Sequence, residues 1–139
     1  MQKRSLPITG SGEETRDFTF VLDLVQGLIK AGYYQEAIGE NFNLASGKEK
    51  SIKDLIMMIN EATGNVTPVT YLERRKWDTK PRLLASIDKA NKLVKYRPLV
   101  DFKNGLKVTM EWFEHNWEKI NSLADFPPGM SSAVRPGGK

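Results

Sequence analysis

The sequence contains no cysteine, and its 139 residues include a single histidine, His115. Without cysteine, disulfides, thiolate catalysis and a cysteine-ligated zinc site are excluded, and a reducing, cytoplasmic compartment is expected. A Ser-His-Asp triad or a histidine-rich metal site would depend on one imidazole ring. His115 falls on the polar side of a predicted helix, which favours a surface position over a ligand role. We therefore predict no metal site.

Long hydrophobic runs are also missing. No stretch approaches the roughly 20 consecutive apolar residues that span a bilayer, and the start MQKRSLPITG has no apolar signal core. The sequence predicts a soluble protein without a membrane partner. Its formal charge is only +4, but residues 73–82, ERRKWDTKPR, hold five basic residues in ten. Such a cluster favours an anionic partner, whether phosphate, nucleic acid or solvent ions.

Short strands alternate with helices along the chain, which predicts an α/β or α+β fold with a few strands and about four helices. Apolar or β-branched runs predict strands at residues 6–8, 15–21, 41–45 and 66–72. Helical spacing predicts helices from Val21 to a glycine stop at Gly32, from a capping residue Ser51 to Gly64, from Asp88 to Val94, and onward from Asp101.

Two apolar faces are predicted to form the core. The first lies on the helix that starts near Val21, where the apolar run is expected to anchor the helix. The second is a stripe on the last helix: Phe102, Leu106, Met110, Phe113, Trp117 and Ile120.

The C-terminal residues differ from the rest in composition. Residues 122–139 contain nine Pro, Gly or Ser in eighteen and almost no apolar periodicity, so they cannot offset the entropy of ordering. We predict a folded domain over residues 1–121 and a flexible tail over 122–139.

Arginines stand next to acids at the ends of two predicted elements. Arg16 follows a glycine turn and precedes Asp17, and Arg74 and Arg75 follow a strand and precede Asp78. Because a guanidinium donates two parallel hydrogen bonds to phosphate oxygens, two arginines from different elements would suit a diphosphate. The alternative is a pair of ordinary surface ion pairs, each contributing about 0–1 kcal/mol.

The glycine turn is a weak signal by itself. Gly10-Ser11-Gly12 lacks both the lysine of a P-loop and the full dinucleotide fingerprint. We interpret it as a turn, and Glu13 and Glu14 beside it as solvated side chains.

Three segments resemble one known family. LPITGSGEETRDFTFVLDLVQGL, NFNLASGKEKSIKDLIMMI and RRKWDTKPRLLASIDKANKLVKYRPLVDFKNGLKVTMEWF are similar, in order and spacing, to the C-terminal half of NAD-dependent sugar-nucleotide epimerases and dehydratases of the extended short-chain dehydrogenase/reductase family. The likeness runs from Leu6 to about Trp117. It implies the substrate-binding lobe of such an enzyme, without the Rossmann domain that holds the cofactor.

The resemblance also implies roles for particular residues. Arg16 is similar to the family's arginine on the substrate diphosphate, Arg75 to a second arginine on that diphosphate, and Asp78 to an acid near the nucleotide ribose. The strand whose backbone borders the base is represented by Leu6, Pro7 and Ile8. Trp77 stands where many relatives carry a smaller residue, and it could pack on the long helix or stack on a base.

The catalytic parts of the family are missing from the sequence. No G-x-x-G-x-x-G occurs, and Tyr33, Tyr34, Tyr71 and Tyr96 all lack a lysine four residues later. We therefore predict that the chain alone binds no cofactor and has no catalytic residues, although the resemblance implies NAD(P) for a full-length enzyme. It could be a fragment, a truncated gene product or one part of a split enzyme.

Three hypotheses follow. The first is a nucleotide-sugar-binding half, with a UDP-, GDP- or dTDP-sugar as ligand. The second is a non-catalytic interaction module, which would pair with a separate cofactor domain or self-associate through exposed strand edges. The third, nucleic-acid binding through residues 74–82, is disfavoured because aromatic interleaving is sparse and no known module is matched.

Overall fold

A computed structural model of the chain describes residues 4–123. The described part is an α/β fold with ten regular elements and a short 3-10 turn at Gln35–Ala37. In chain order they are β1 Pro7–Thr9, β2 Thr15–Asp17, α1 Val21–Tyr33, β3 Glu49–Ser51, α2 Ile52–Thr63, β4 Thr70–Leu72, β5 Arg82–Leu83, α3 Asp88–Val94, α4 Phe102–His115 and α5 Trp117–Leu123. The chain divides into two compact units, with the boundary inside α4 after Lys107.

The strands form two small sheets. β1 pairs in parallel with β4, with Ile8 opposite Tyr71. β2 is the central strand of the other sheet, antiparallel to β3 and parallel to β5, so that Arg16 lies between Lys50 and Leu83. The two predicted site segments at β1 and β2 therefore belong to different sheets.

The predicted strand at residues 41–45 is wrong. Those residues are irregular, and the strand that pairs with β2 lies a few residues later, at β3. The reason is local packing. The hydroxyl of Tyr96 donates to the carbonyl of Ala45 at 2.9 Å, and Leu44 packs beside Gly27, so this segment is held by side chains and not by a ladder. The predicted strand at 66–72 is shorter, because only Thr70–Leu72 pairs.

The second helix is confirmed with both of its predicted ends. The Ser51 hydroxyl accepts the Asp54 N–H at 3.0 Å and the Asp54 carboxylate accepts the Ser51 N–H at 3.3 Å, which is a capping box. Gly64 ends the helix in the left-handed conformation at φ 59°. Asp101 likewise precedes α4, and its carboxylate accepts the Asn104 N–H at 3.0 Å.

Other helix ends differ from prediction. Gly32 lies inside α1, and Tyr34 is the capping residue that follows the helix. Asp88 is the first residue of α3, with its N–H donating to the Ser86 hydroxyl. The last helix is interrupted at Asn116, which separates α4 from α5. Residues 124–139, most of the predicted tail, lie outside the described residues.

The buried centre of the first unit is built around Tyr96, Val94 and Ala90, which are fully buried. Partly buried side chains of the 34–44 segment and of α3 pack against them. Burial raises the pKa of Tyr96, and the nearby carboxylates of Asp23 and Asp17 add to the effect. The predicted apolar stripe on α4 and α5 is only partly buried, since Phe113 and Trp117 are exposed.

Helix α1 turns its polar side toward the core, and not the apolar side that was predicted. Asp23 and Gly27 are its buried residues, whereas Leu22, Leu28 and Ile29 are exposed. The prediction that its apolar run anchors it against the core is therefore wrong for the described chain. The physical reason is that the polar face of α1 forms hydrogen bonds with the backbone that follows α3.

Candidate functional site

Glu14 is buried, contrary to the expectation that it is solvated. It lies under the glycine turn, where its carboxylate accepts the N–H of Gly12 at 2.9 Å. Gly10 and Gly12 have positive φ values of 91° and 80°, and a Cβ at Gly10 would lie 2.8 Å from the Glu14 carboxylate. Glycine is thus required there both by backbone conformation and by space.

Hydrogen bonds keep Glu14 charged despite its burial. Its own backbone N–H, above all, and then the N–H of Gly12 lower the pKa of this carboxyl, against the opposing effect of burial. The Arg74 guanidinium lies 3.8 Å away and contributes in the same direction. Glu13, next to it, is exposed as expected and pairs with Lys53.

Arg16 and Asp78 form an ion pair between β2 and the basic loop. A terminal nitrogen of Arg16 lies 3.1 Å from the Asp78 carboxylate, and the other donates to the Thr15 carbonyl at 2.8 Å. The side chains are 23% and 33% exposed. The sequence interpretation paired each arginine with the acid beside it; the structure pairs Arg16 with the acid 62 residues away.

Asp17 has a separate, structural task. Its carboxylate accepts the N–H groups of Ser46 and Gly47, at 2.9 and 3.0 Å, and the Ser46 hydroxyl. Because successive strand residues point to opposite faces, Asp17 is directed away from Arg16. It holds the turn that precedes β3, and so fixes the strand that lies against Arg16.

The basic loop between β4 and β5 turns at residues 75–78, where the Asp78 N–H donates to the Arg75 carbonyl at 3.1 Å. The Nε of Arg74 donates to the Asp78 carbonyl at 2.7 Å. Arg74 therefore joins this turn to Glu14 and the glycine turn. The side chain of Arg75 is exposed, and Trp77 is 78% exposed, so packing of Trp77 against the long helix is wrong.

Leu6, Pro7 and Ile8 lie at the start of the chain's first sheet. The Leu6 carbonyl accepts the Thr70 N–H at 3.2 Å, and Ile8 is 1% exposed. The Gly10 N–H donates to the Leu72 carbonyl at 3.0 Å. This sheet therefore links the predicted base-bordering strand directly to the strand that leads into Arg74 and Arg75.

The predicted site residues thus fall into one connected region. Asp78 contacts Arg16 through its carboxylate, and its backbone N–H donates to the Arg75 carbonyl. The strand β1, which follows Leu6, pairs with β4, and β4 leads into the same loop. The sequence interpretation missed Glu14 and Arg74 as the connection between the glycine turn and the loop. The available signal was a carboxylate two residues after Gly12, in a turn whose N–H groups need an acceptor.

A cavity of about 400 Å³ lies elsewhere in the first unit. Its walls include Phe18, Lys48, Lys50, Leu99 and Lys103. Arg16, Arg75 and Asp78 are not among its lining residues. The predicted site therefore does not coincide with this cavity.

No protein-family model matches the chain. Among curated proteins, it is 33% identical over 127 residues to a UDP-glucuronate 4-epimerase from Thermodesulfobacterium geofontis, an alignment that covers 88% of this chain and 37% of the relative. Other curated relatives are a UDP-N-acetyl-alpha-D-glucosaminuronate decarboxylase and a dTDP-glucose 4,6-dehydratase. The chain thus spans little more than a third of the length of the relatives it matches.

Solved structures give the same result. An epimerase from Methanothermobacter thermautotrophicus is 52% identical, with a TM-score of 0.84 over 86% of this chain and 36% of that one. The Bordetella bronchiseptica enzyme WbmF, in complex with NAD+ and UDP, is 37% identical, with a TM-score of 0.71 over 87% of this chain and 35% of that one.

In both fold and sequence, the relatives of this chain are NAD-dependent enzymes that act on sugar nucleotides. These relatives are members of the extended short-chain dehydrogenase/reductase family, and the chain matches their C-terminal region, about 36% of their length. The resemblance inferred from the three sequence segments is therefore confirmed. The described residues also contain no helix long and apolar enough to cross a membrane.

Proposed function

We propose that the chain is a nucleotide-sugar-binding lobe in which Arg16 and Arg75 bind the ligand diphosphate. The observation that carries the proposal is the 3.1 Å contact between Arg16 and Asp78, because it joins the TRDF and R-K-W-D segments in space. Asp78 lies beside the nucleotide ribose in this proposal. The backbone of Leu6, Pro7 and Ile8 borders the base.

The hydrogen bonds of Arg16 fix its direction without consuming all its donors. A guanidinium has five N–H donors, and the contacts to Thr15 and Asp78 engage one donor on each terminal nitrogen. The N–H groups that remain can donate hydrogen bonds to phosphate oxygens. A guanidinium that is already oriented and partly buried loses less conformational entropy when it binds a phosphate than a freely rotating one does.

The relatives support an anionic nucleotide as ligand. WbmF was solved with UDP and NAD+, and an epimerase from Thermotoga maritima, 28% identical to this chain, was solved with UDP-glucose. The curated relatives include epimerases, decarboxylases and dehydratases. The proposal therefore specifies the ligand class and leaves the reaction and the sugar open.

We infer further that this chain does not catalyse a reaction alone. Its sequence contains neither a Gly-rich dinucleotide turn nor a Tyr-x-x-x-Lys pair, the groups that hold NAD and transfer a proton in the family it resembles. In a complete enzyme NAD supplies hydride transfer. The residues of this chain would then contribute binding and orientation of the sugar nucleotide.

Isothermal titration calorimetry of the full chain with UDP-glucose, GDP-mannose and dTDP-glucose tests the proposal. Each charge-assisted hydrogen bond contributes about 1.5–3 kcal/mol, so Arg16→Ala and Arg75→Ala are each expected to weaken binding at least tenfold. Arg97→Ala is the matched control, since Arg97 is exposed and lies outside the proposed site. Equal heats for wild type, both site variants and the control would reject the assigned site.

A further inference from the structure

Glu14 is a buried carboxylate that has no part in the proposed ligand contacts. It is 7% exposed and lies in the glycine turn, immediately before β2. One of its oxygens accepts the Gly12 N–H at 2.9 Å, and the Ser11 hydroxyl donates to the same oxygen at 3.4 Å. The other oxygen lies 3.8 Å from a terminal nitrogen of Arg74. Glu14 therefore binds the turn with one oxygen and the basic loop with the other.

Arg74 connects Glu14 to the part of the loop that carries the proposed ligand residues. Its Nε donates to the Asp78 carbonyl at 2.7 Å. The Asp78 N–H donates to the Arg75 carbonyl at 3.1 Å, and the Asp78 carboxylate pairs with Arg16. A chain of contacts thus runs from the glycine turn to both arginines of the proposed site.

The basic loop depends on these polar contacts for its position. Every residue from 73 to 82 except Asp78 is exposed, so apolar packing contributes little to holding the loop. Asp78 is bound through its carboxylate, its carbonyl and its N–H. The carbonyl contact is the one made by Arg74, whose direction is set by Glu14.

The two adjacent arginines of the loop differ in their partners. Arg74 pairs with Glu14, whereas none of the ion pairs within residues 4–123 includes Arg75. A guanidinium that faces a carboxylate gains less from a phosphate, because the two anions repel each other. Arg74 therefore suits a bridge inside the protein, and Arg75 suits a ligand.

We propose that Glu14 is a positioning residue of the diphosphate site and that it fixes, through Arg74, the loop that presents Arg75 and Asp78. The inference rests on the proposed function, since the residues that Glu14 positions are those assigned to the ligand. It gives the glycine turn a role in binding, although the turn itself has no assigned ligand contact.

Charge alone predicts the opposite effect, which makes the inference testable. Glu14 adds a negative charge beside the loop that carries Arg75, so its removal in Glu14→Gln would tighten the binding of an anion if only charge mattered. Positioning predicts weaker binding, because Arg74 loses its carboxylate partner. The amide oxygen of glutamine still accepts the Gly12 N–H, so the glycine turn is retained.

Calorimetry of the full chain with UDP-glucose measures this sign. Glu14→Gln and Arg74→Ala are each expected to weaken binding about fivefold, and the double variant is expected to be no weaker than either, because both changes break one connection. The matched control is Glu13→Gln. Glu13 is an exposed neighbour that pairs with Lys53 and not with the loop, so its replacement should leave the affinity unchanged.

Three results overturn the proposal: unchanged or tighter binding by Glu14→Gln, equal weakening by Glu13→Gln, and additive losses in the double variant. If Glu14→Gln does not fold, Arg74→Lys replaces it. Lysine keeps the charge but lacks the planar guanidinium that bridges Glu14 and Asp78. A loss of affinity as large as that of Arg74→Ala then supports positioning, and wild-type affinity rejects it.

A second readout needs no ligand and separates this inference from the proposed function. In NMR spectra, the Nε–H of Arg74 and the amide N–H of Asp78 are expected to exchange with solvent faster in Glu14→Gln than in the wild type and Glu13→Gln. If the wild type binds no sugar nucleotide, the assigned ligand site fails and these exchange rates alone decide whether Glu14 positions the loop. Equal rates in the three proteins reject the positioning role.

Discussion

Arg16 on β2 and Asp78 in the loop between β4 and β5 form a 3.1 Å ion pair that spans 62 residues of sequence. Asp17, which follows Arg16 in the sequence, binds backbone N–H groups, whereas Asp78, three residues after Arg75, binds Arg16. The orientation of the Arg16 guanidinium is therefore set by a tertiary contact. In the proposed site, Asp78 is therefore expected to orient Arg16 as well as to lie near the ribose.

Replacing Asp78 with Asn is expected to weaken UDP-glucose binding about fivefold, or roughly 1 kcal/mol, because the amide orients Arg16 less strongly than a carboxylate. A double-mutant cycle with Arg16→Ala separates positioning from direct contact. If Asp78 acts through Arg16, Asp78→Asn has no further effect in the Arg16→Ala background. Full additivity in calorimetry would instead assign Asp78 a direct contact with the ligand.

The hydrogen bonds that the Glu14 carboxylate accepts should make stability depend on pH. Its pKa is lowered in the folded state, so its stabilising contribution is complete above the unfolded pKa of about 4.3. That contribution is lost as the pH falls through the lower folded value. Urea unfolding is therefore expected to show a larger difference between wild type and Glu14→Gln at about pH 7 than at about pH 3.

The control for that measurement is Glu36→Gln, since Glu36 is exposed on the 3-10 turn. This variant should follow the wild-type pH profile. A Glu14→Gln deficit that stays constant from neutral to acid pH would show that the hydrogen bonds to the charged form of Glu14 contribute nothing to stability.

Gly27→Ala is expected to destabilise the chain by about 1 kcal/mol. The added methyl group gains up to about 1 kcal/mol in helix propensity, but overpacking costs about 1–3 kcal/mol. Leu44 can yield, whereas the buried ring of Tyr96 cannot. Gly32→Ala on the same helix, where nothing lies within 4 Å of the added atom, should be neutral or stabilising. Thermal unfolding of the two variants checks the opposite signs.

Ser51→Ala removes the hydroxyl that accepts the Asp54 N–H at the start of α2. The expected loss is about 1 kcal/mol, measured by chemical denaturation. Ser51→Thr keeps the acceptor and should lose only part of that amount. An alanine variant as stable as the wild type would mean that water replaces the cap without cost.

The local features of the chain were determined by the sequence itself. The capping box at Ser51, the left-handed Gly64, the Asp101 cap and the helical spans depend on neighbours within a few residues. The order and spacing of three sequence segments were also sufficient to identify the family of the relatives. The domain limits of 1–121 and 122–139, and the diphosphate roles of Arg16 and Arg75, stay predictions.

Only the tertiary structure decided which groups meet across long separations. Periodicity identified the apolar stripe of α1 but not the direction it faces, because that direction depends on hydrogen bonds from Asp23 to residues 99–100. Only the fold places Arg74 beside the buried Glu14, 60 residues away, and the Tyr96 hydroxyl on the irregular segment at residues 41–45. Short-range patterns encode backbone conformation, whereas pairing and burial depend on contacts between segments that are distant in the chain.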